Sequence, residues 1–118
     1  MASKDTYSAS VPKEIEKANE FVDWYDNHMD GTYRSRVDAM EAAILENGAI
    51  TNVKDLGNGL YEKKWNNGLR VYFSAVVKNG NKTLLIIGGN KNNQDSDIAE
   101  ARKTLARHKV VSEVKKIK

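Results

Sequence analysis

Arg70-Val71-Tyr72-Phe73 sets a guanidinium and a phenol two residues apart in a run that reads as a β-strand. Residues two apart on a strand share a face, so Arg70 and Tyr72 point the same way. Lys54 and Lys64 come from the two preceding elements, and Lys91 follows the next strand, Leu84-Leu85-Ile86-Ile87. Four cations from four successive elements could hold several phosphates, with Tyr72 available to stack on an unpaired base. The alternative is that these cations only solubilise one open face of an antiparallel sheet.

The elements that must position them follow from periodicity. Residues 1–11 are rich in Ser, Ala and Lys and are expected to be a flexible N-terminal segment. Pro12 to Lys17 reads either as the first turn of a helix or as a short edge strand, with Asn19 capping a helix through Phe21, Val22, Trp24 and Tyr25. After Asp30-Gly31, with Thr32 as the expected N-cap, Val37, Met40, Ile44 and Leu45 recur at helical spacing up to Asn47-Gly48. From Ile50 the period changes to two. Ile50 to Leu56, Leu60 to Trp65, Leu69 to Val77 and Leu84 to Ile87 read as strands, joined at Gly57-Asn58-Gly59, Asn66-Asn67-Gly68 and Asn79-Gly80-Asn81. On the third, Leu69, Val71, Phe73, Ala75 and Val77 should face one way, and Arg70, Tyr72 and Ser74 the other. Gly88-Gly89 then reads as a turn, or else as a place where the backbone approaches a ligand closely, and Asp95 or Asp97 as the cap of a helix carrying Ile98, Ala101 and Leu105. The fold class is therefore α+β: an N-terminal helical hairpin packed on an antiparallel meander, with a C-terminal helix. Residues 12–109 form the domain and 110–118 a basic C-terminal tail.

Composition excludes several function classes. With 118 residues, 40% apolar and 30% charged, the chain suits one domain with a modest core. It has no cysteine, so neither disulfides nor zinc-thiolate sites are available, and two histidines argue against a catalytic metal. His28 and His108 read as surface or capping residues. No metal and no cofactor is expected. No apolar run approaches the roughly 20 residues of a membrane span and no secretory h-region follows the N-terminus, so a cytoplasmic location with no membrane partner is expected. The net charge of +3 is uneven: from Ala99 to Lys118 there are seven Lys or Arg against two Glu, a net of +5. Such an end can contact nucleic acid or an acidic partner, or be a solvated helix face and tail.

From Phe21 to about Arg102 the sequence resembles the RelE/ParE toxin superfamily, and within it the HigB-like "addiction module killer" branch of type II toxin–antitoxin systems. The resemblance rests on Phe21-Val22-Asp23-Trp24, on Gly48, on Val53 through Glu62, on Gly68-Leu69-Arg70-Val71-Tyr72-Phe73, and on Gly88 through Asp95 with Asp97-Ile98-Ala99. Order and spacing together make it specific. It implies a RelE-like fold and a metal-independent ribonuclease that cuts mRNA, commonly on the ribosome. A cognate antitoxin, often a small DNA-binding repressor, would neutralise it.

The implied chemistry is attack of a ribose 2′-hydroxyl on the adjacent phosphate, which needs a base, a donor to the leaving oxygen and cations for the added negative charge. By position Lys54, Lys64, Arg70 and Lys91 match the family's basic residues. Arg70 is the expected phosphate clamp, because a guanidinium binds phosphate through two parallel hydrogen bonds. Lys91 is the expected acid or transition-state stabiliser, and Lys54 or Lys64 could serve as base if cationic neighbours lower its pKa. Tyr72, Asn92 and Gln94 are the expected RNA contacts. On this reading Arg70→Ala should abolish toxicity and leave the fold intact.

The chain also departs from the branch. Lys64 stands where arginine is usual, Asn90 where aspartate is usual, and Ser96 where a basic residue is common. Lys63 occupies a core-side position, so its stem must be buried or the strand shifted. No His or Tyr stands in the loop after Gly89 to act as a base. Two other readings therefore stand beside the ribonuclease: a ParE-like toxin that inhibits DNA gyrase, and a non-catalytic relative that binds RNA or protein.

Overall fold

The computed structural model describes residues 6–66, 68–90, 94–110 and 115–117. In chain order the elements are β1 (Thr6–Ser10), β2 (Ile15–Lys17), α1 (Asn19–Asn27), α2 (Gly31–Asn47), β3 (Ala49–Gly57), β4 (Leu60–Lys64), β5 (Arg70–Lys78), β6 (Asn81–Asn90), α3 (Gln94–Leu105), β7 (Lys109–Val110) and β8 (Lys115–Ile117). The fold is mixed α+β. One sheet runs in the order β2-β6-β5-β4-β3-β1-β8, with β7 paired to β5. Its centre, β3 to β6, is the expected antiparallel meander, and β2 joins parallel to β6.

The helical hairpin exists but does not begin the fold, because two strands precede it. Within residues 1–11, expected to be flexible, Thr6–Ser10 form β1 of the sheet. Tyr7 pairs with Val53 and Ala9 with Ile50, and the side chains of Ala9 and Val11 are buried in the core. Their alternation with polar residues is a strand pattern that composition alone obscured. The basic tail is likewise not detached where it is described: β8 pairs with β1, and Lys116 Nζ lies 5.0 Å from the centre of the Tyr7 ring. Pro12 to Lys17 resolves as the strand alternative.

Local chemistry explains the helix ends. Asp30, not Thr32, caps α2 by accepting from the Tyr33 amide at 3.0 Å. Asn19 is the first helical residue of α1, whose N-cap, Ala18, makes no side-chain cap. The carbonyls at the end of α1 are met from α2 instead. Arg34 donates from Nε to Tyr25 O at 2.9 Å and from Nη2 to Asp26 O at 3.0 Å. Tyr25 in turn donates to Asp38 at 2.6 Å, so the hairpin is stapled twice.

Both faces of the sheet are covered. Phe21 of α1 and Val37, Met40 and Ile44 of α2 pack on Val53, Tyr61, Val71, Phe73, Ala75, Leu84 and Ile86. On the other face Ala101 and Leu105 of α3, with Ile98 beside them, pack on Leu60, Tyr72, Val76, Leu85 and Ile87. The alternation is as expected from Leu69 to Ala75, but beyond Arg70 the second face of β5 is buried: Tyr72 and Val76 pack under α3, and Ser74 donates to Gly59 O at 2.5 Å. Two contacts fix α3 there. Arg102 donates to Leu56 O at 2.7 Å and Gly57 O at 3.1 Å, and Thr104 donates to Glu20, which also faces Arg107 at 3.2 Å. The Thr104 hydrogen bond, with Arg107 adding, holds the Glu20 carboxyl below its ordinary range.

Candidate functional site

Register decides which cations meet. Lys54 of β3 lies opposite Glu62 of β4, and Glu62 lies opposite Tyr72 of β5. Two residues along, Lys64 lies opposite Arg70, and Arg70 opposite Asn90 of β6. Directly opposed residues share a face, so Lys54, Glu62, Lys64, Arg70 and Tyr72 all project on the α3 side. Lys64 is exposed, while Lys54 and Arg70 are half-buried. The hairpin signals of the sequence are what bring them together. The β4–β5 hairpin closes through Trp65 N to Leu69 O at 2.9 Å, and Asn79 and Gly80 both take the positive φ of a tight β5–β6 turn.

Of the other expected site residues, Lys91 and Asn92 lie outside the described residues. Gln94 is the first residue of α3, and its side chain is likewise outside the description.

Tyr72 is a correction. It was expected to be free for base stacking, but it is fully buried beneath α3. Burial pushes its phenol well above its ordinary pKa, and the charge of Glu62 adds to the rise. Gly88 and Gly89 are a second correction: β6 does not turn at them but runs on to Asn90. A Cβ on Gly89 would sit 2.1 Å from the Arg70 carbonyl oxygen and 2.7 Å from a ring carbon of Trp24. Glycine is required there so that β6 can lie against the residue that carries the guanidinium.

The same architecture occurs in a solved structure. The chain is similar to the isolated E. coli RelE toxin, with a TM-score of 0.53 and 18% identity over 78% of this chain and 97% of that one. The fold is RelE-like. No protein-family model matches the sequence, and no curated protein matches it. The basic face therefore lies on the sheet of a RelE-like fold, on the side that α3 partly covers.

Glu62 was not anticipated. Its side chain is 4% exposed, and Oε2 lies 4.0 Å from Nε of Arg70, whose side chain is 18% exposed. Among the described residues, Arg70 Nε and the Tyr72 hydroxyl are buried with no hydrogen-bond partner. The signal was available: in Leu60-Tyr61-Glu62-Lys63-Lys64, period two puts Glu62 on the face of Lys64. Attention to cations alone passed over it.

Lys63 points the other way, as its position demanded, with no shift in register against Val53. Its stem is buried, Nζ donates to Thr51 O at 2.9 Å, and the ammonium sits 4.7 Å from the centre of the Trp65 ring. Burial lowers its pKa from the ordinary lysine value. His28, at the end of α1, is exposed and lies 3.6 Å from Asp23. Among the described residues no three His, Cys, Asp or Glu side chains group to hold a metal. What the arrangement can do is bind anions: three cations on three adjacent strands, one of them a half-buried guanidinium.

Proposed function

We propose that this chain is the toxin of a type II toxin–antitoxin module, HigB-like within the RelE/ParE superfamily, and a metal-independent mRNA endoribonuclease acting in the cytoplasm. The observation that carries this reading is the convergence of Lys54, Lys64 and Arg70 on one face of a RelE-like sheet. In this reading Arg70 clamps the scissile phosphate. Lys54 and Lys64 add positive charge along the RNA backbone, and Lys91 stabilises or protonates the leaving oxygen. The 2′-hydroxyl oxygen attacks phosphorus as its proton passes to a base, and the bond to the 5′-oxygen breaks as that oxygen gains a proton. The ribosome presents the mRNA, and a small DNA-binding antitoxin holds the toxin inactive.

Burial of Tyr72 favours one competing reading. It removes a base-stacking platform from the face, which suits a ParE-like toxin that inhibits gyrase without cutting RNA. Inducible expression in a bacterial host, with growth curves and mapping of mRNA 5′ ends, separates the two. Growth arrest with discrete new ends in the wild type, absent in an Arg70→Lys/Lys91→Ala variant, is the expected result. Arrest without new ends would transfer the assignment to a gyrase-type target. No arrest would make the chain a non-catalytic relative.

A further inference from the structure

Glu62 is a buried carboxylate on the face that carries Lys54, Lys64 and Arg70, opposite Lys54 and Tyr72 and beside Arg70. A carboxylate in such a place costs desolvation that an apolar side chain of similar size would avoid. Its burial leaves little of the carboxylate at the surface. One Glu62 oxygen faces the Nε edge of Arg70 at 4.0 Å, and that Nε is buried with no hydrogen-bond partner among the described residues. The Tyr72 ring, fully buried next to it, restricts where that carboxylate can move. A guanidinium held by its Nε edge keeps its two Nη groups for two oxygens of one phosphate.

We propose that Glu62 is a positioning residue: its buried carboxylate holds Arg70 by Nε and presents the Nη pair to an RNA phosphate. The 4.0 Å separation is too long for a hydrogen bond, and it closes to one when the phosphate binds, as site geometry commonly tightens on ligand binding. This rests on Arg70 being a phosphate ligand, which is part of the proposed function.

The test uses the full chain and a 2′-O-methyl RNA oligomer, which binds but cannot be cut at the blocked hydroxyl. Glu62→Gln removes one negative charge, so Coulomb's law alone would tighten RNA binding. Positioning has the opposite sign. Glu62→Gln is expected to weaken binding about tenfold, the size of one charge-assisted contact. It should also lower the slope of log affinity against log salt by about 0.7, one single-strand phosphate contact. Glu62→Asp keeps the charge but shortens the reach, and should weaken binding too. Adding Arg70→Lys to Glu62→Gln should cost nothing further, because both remove the same contact. Unchanged or tighter binding by Glu62→Gln, or losses that simply add, would overturn the proposal, as would wild-type protein that does not bind the oligomer. These readouts do not depend on cleavage. Wild-type protein that binds, weakens as described in the variants and cuts no unmodified mRNA would sustain the positioning role and overturn the ribonuclease reading.

Discussion

Glu62 Oε2 and Arg70 Nε face each other at 4.0 Å across β4 and β5, with the carboxylate almost wholly removed from water. That relationship changes what truncating Arg70 should do. Losing the guanidinium takes a neighbouring positive charge away from the buried carboxylate, and breaking a buried pair costs more than the pair contributes. Arg70→Ala is therefore expected to lower stability by roughly 2–3 kcal/mol, where the sequence reading expected an intact fold. Pairing it with Glu62→Leu should recover most of that loss. Urea denaturation of both variants checks this, and an Arg70→Ala protein of wild-type stability would mean that Glu62 does not depend on the guanidinium.

Tyr72 leads to a prediction of opposite sign. Its hydroxyl is buried with no hydrogen-bond partner among the described residues, while its ring fills the layer under Ile98, Ala101 and Leu105. Tyr72→Phe removes an unsatisfied polar atom and keeps the ring, so stability should be unchanged or higher by up to about 1 kcal/mol. Tyr72→Ala removes the ring as well and should cost about 3–5 kcal/mol. RNA affinity should be the same for wild type and Tyr72→Phe. A drop in affinity for the Phe variant at unchanged stability would restore the hydroxyl as an RNA contact.

Gly89 tests how the strand beside Arg70 is held. A Cβ there would run into the Arg70 carbonyl and the edge of Trp24, and the first of these is backbone that cannot rotate away. Gly89→Ala should cost about 3 kcal/mol or more and shift Arg70 away from the basic face. Gly88→Ala meets nothing within 4 Å and serves as the control. Thermal melts of the two variants should differ by many degrees. Equal melts would show that β6 can slide away from β5 at little cost.

The residues that could be placed from sequence are those whose positions depend on local signals. Hairpin turns at Gly57-Asn58-Gly59 and between Trp65 and Leu69, with period-two alternation along the strands they join, were enough to bring Lys54, Lys64 and Arg70 to one face. What escaped depends on elements distant in the chain. Tyr72 looked available because nothing in β5 announces that Ala101 and Leu105 of α3 will lie over it. Tyr7, Ala9 and Val11 alternate like a strand, yet only pairing with β3 and β8 makes that short run worth ordering. Gly89 looked like a turn because glycine's conformational freedom is the commoner reason for it, whereas here its lack of a side chain is what matters.

Lys63 offers a pH signature on the opposite face of β4. Its ammonium is buried against Trp65 and Thr51, and burial lowers its pKa from the ordinary 10.5. Between the folded-state value and the ordinary one, the unfolded chain binds more protons than the folded chain. By linkage, stability must then rise with pH across that window. Below the folded-state value both states are charged and the full desolvation penalty stays in place. Lys63→Met keeps the stem's volume and removes the charge, and the exposed Thr51 can turn to water for its lost partner. The variant should be more stable than wild type at pH 7 by about 1 kcal/mol, and the advantage should shrink as pH approaches 10. Denaturation curves at pH 7, 8.5 and 10 measure both. A constant difference between the two proteins across that range would mean that the Lys63 amine keeps its ordinary proton affinity despite its burial.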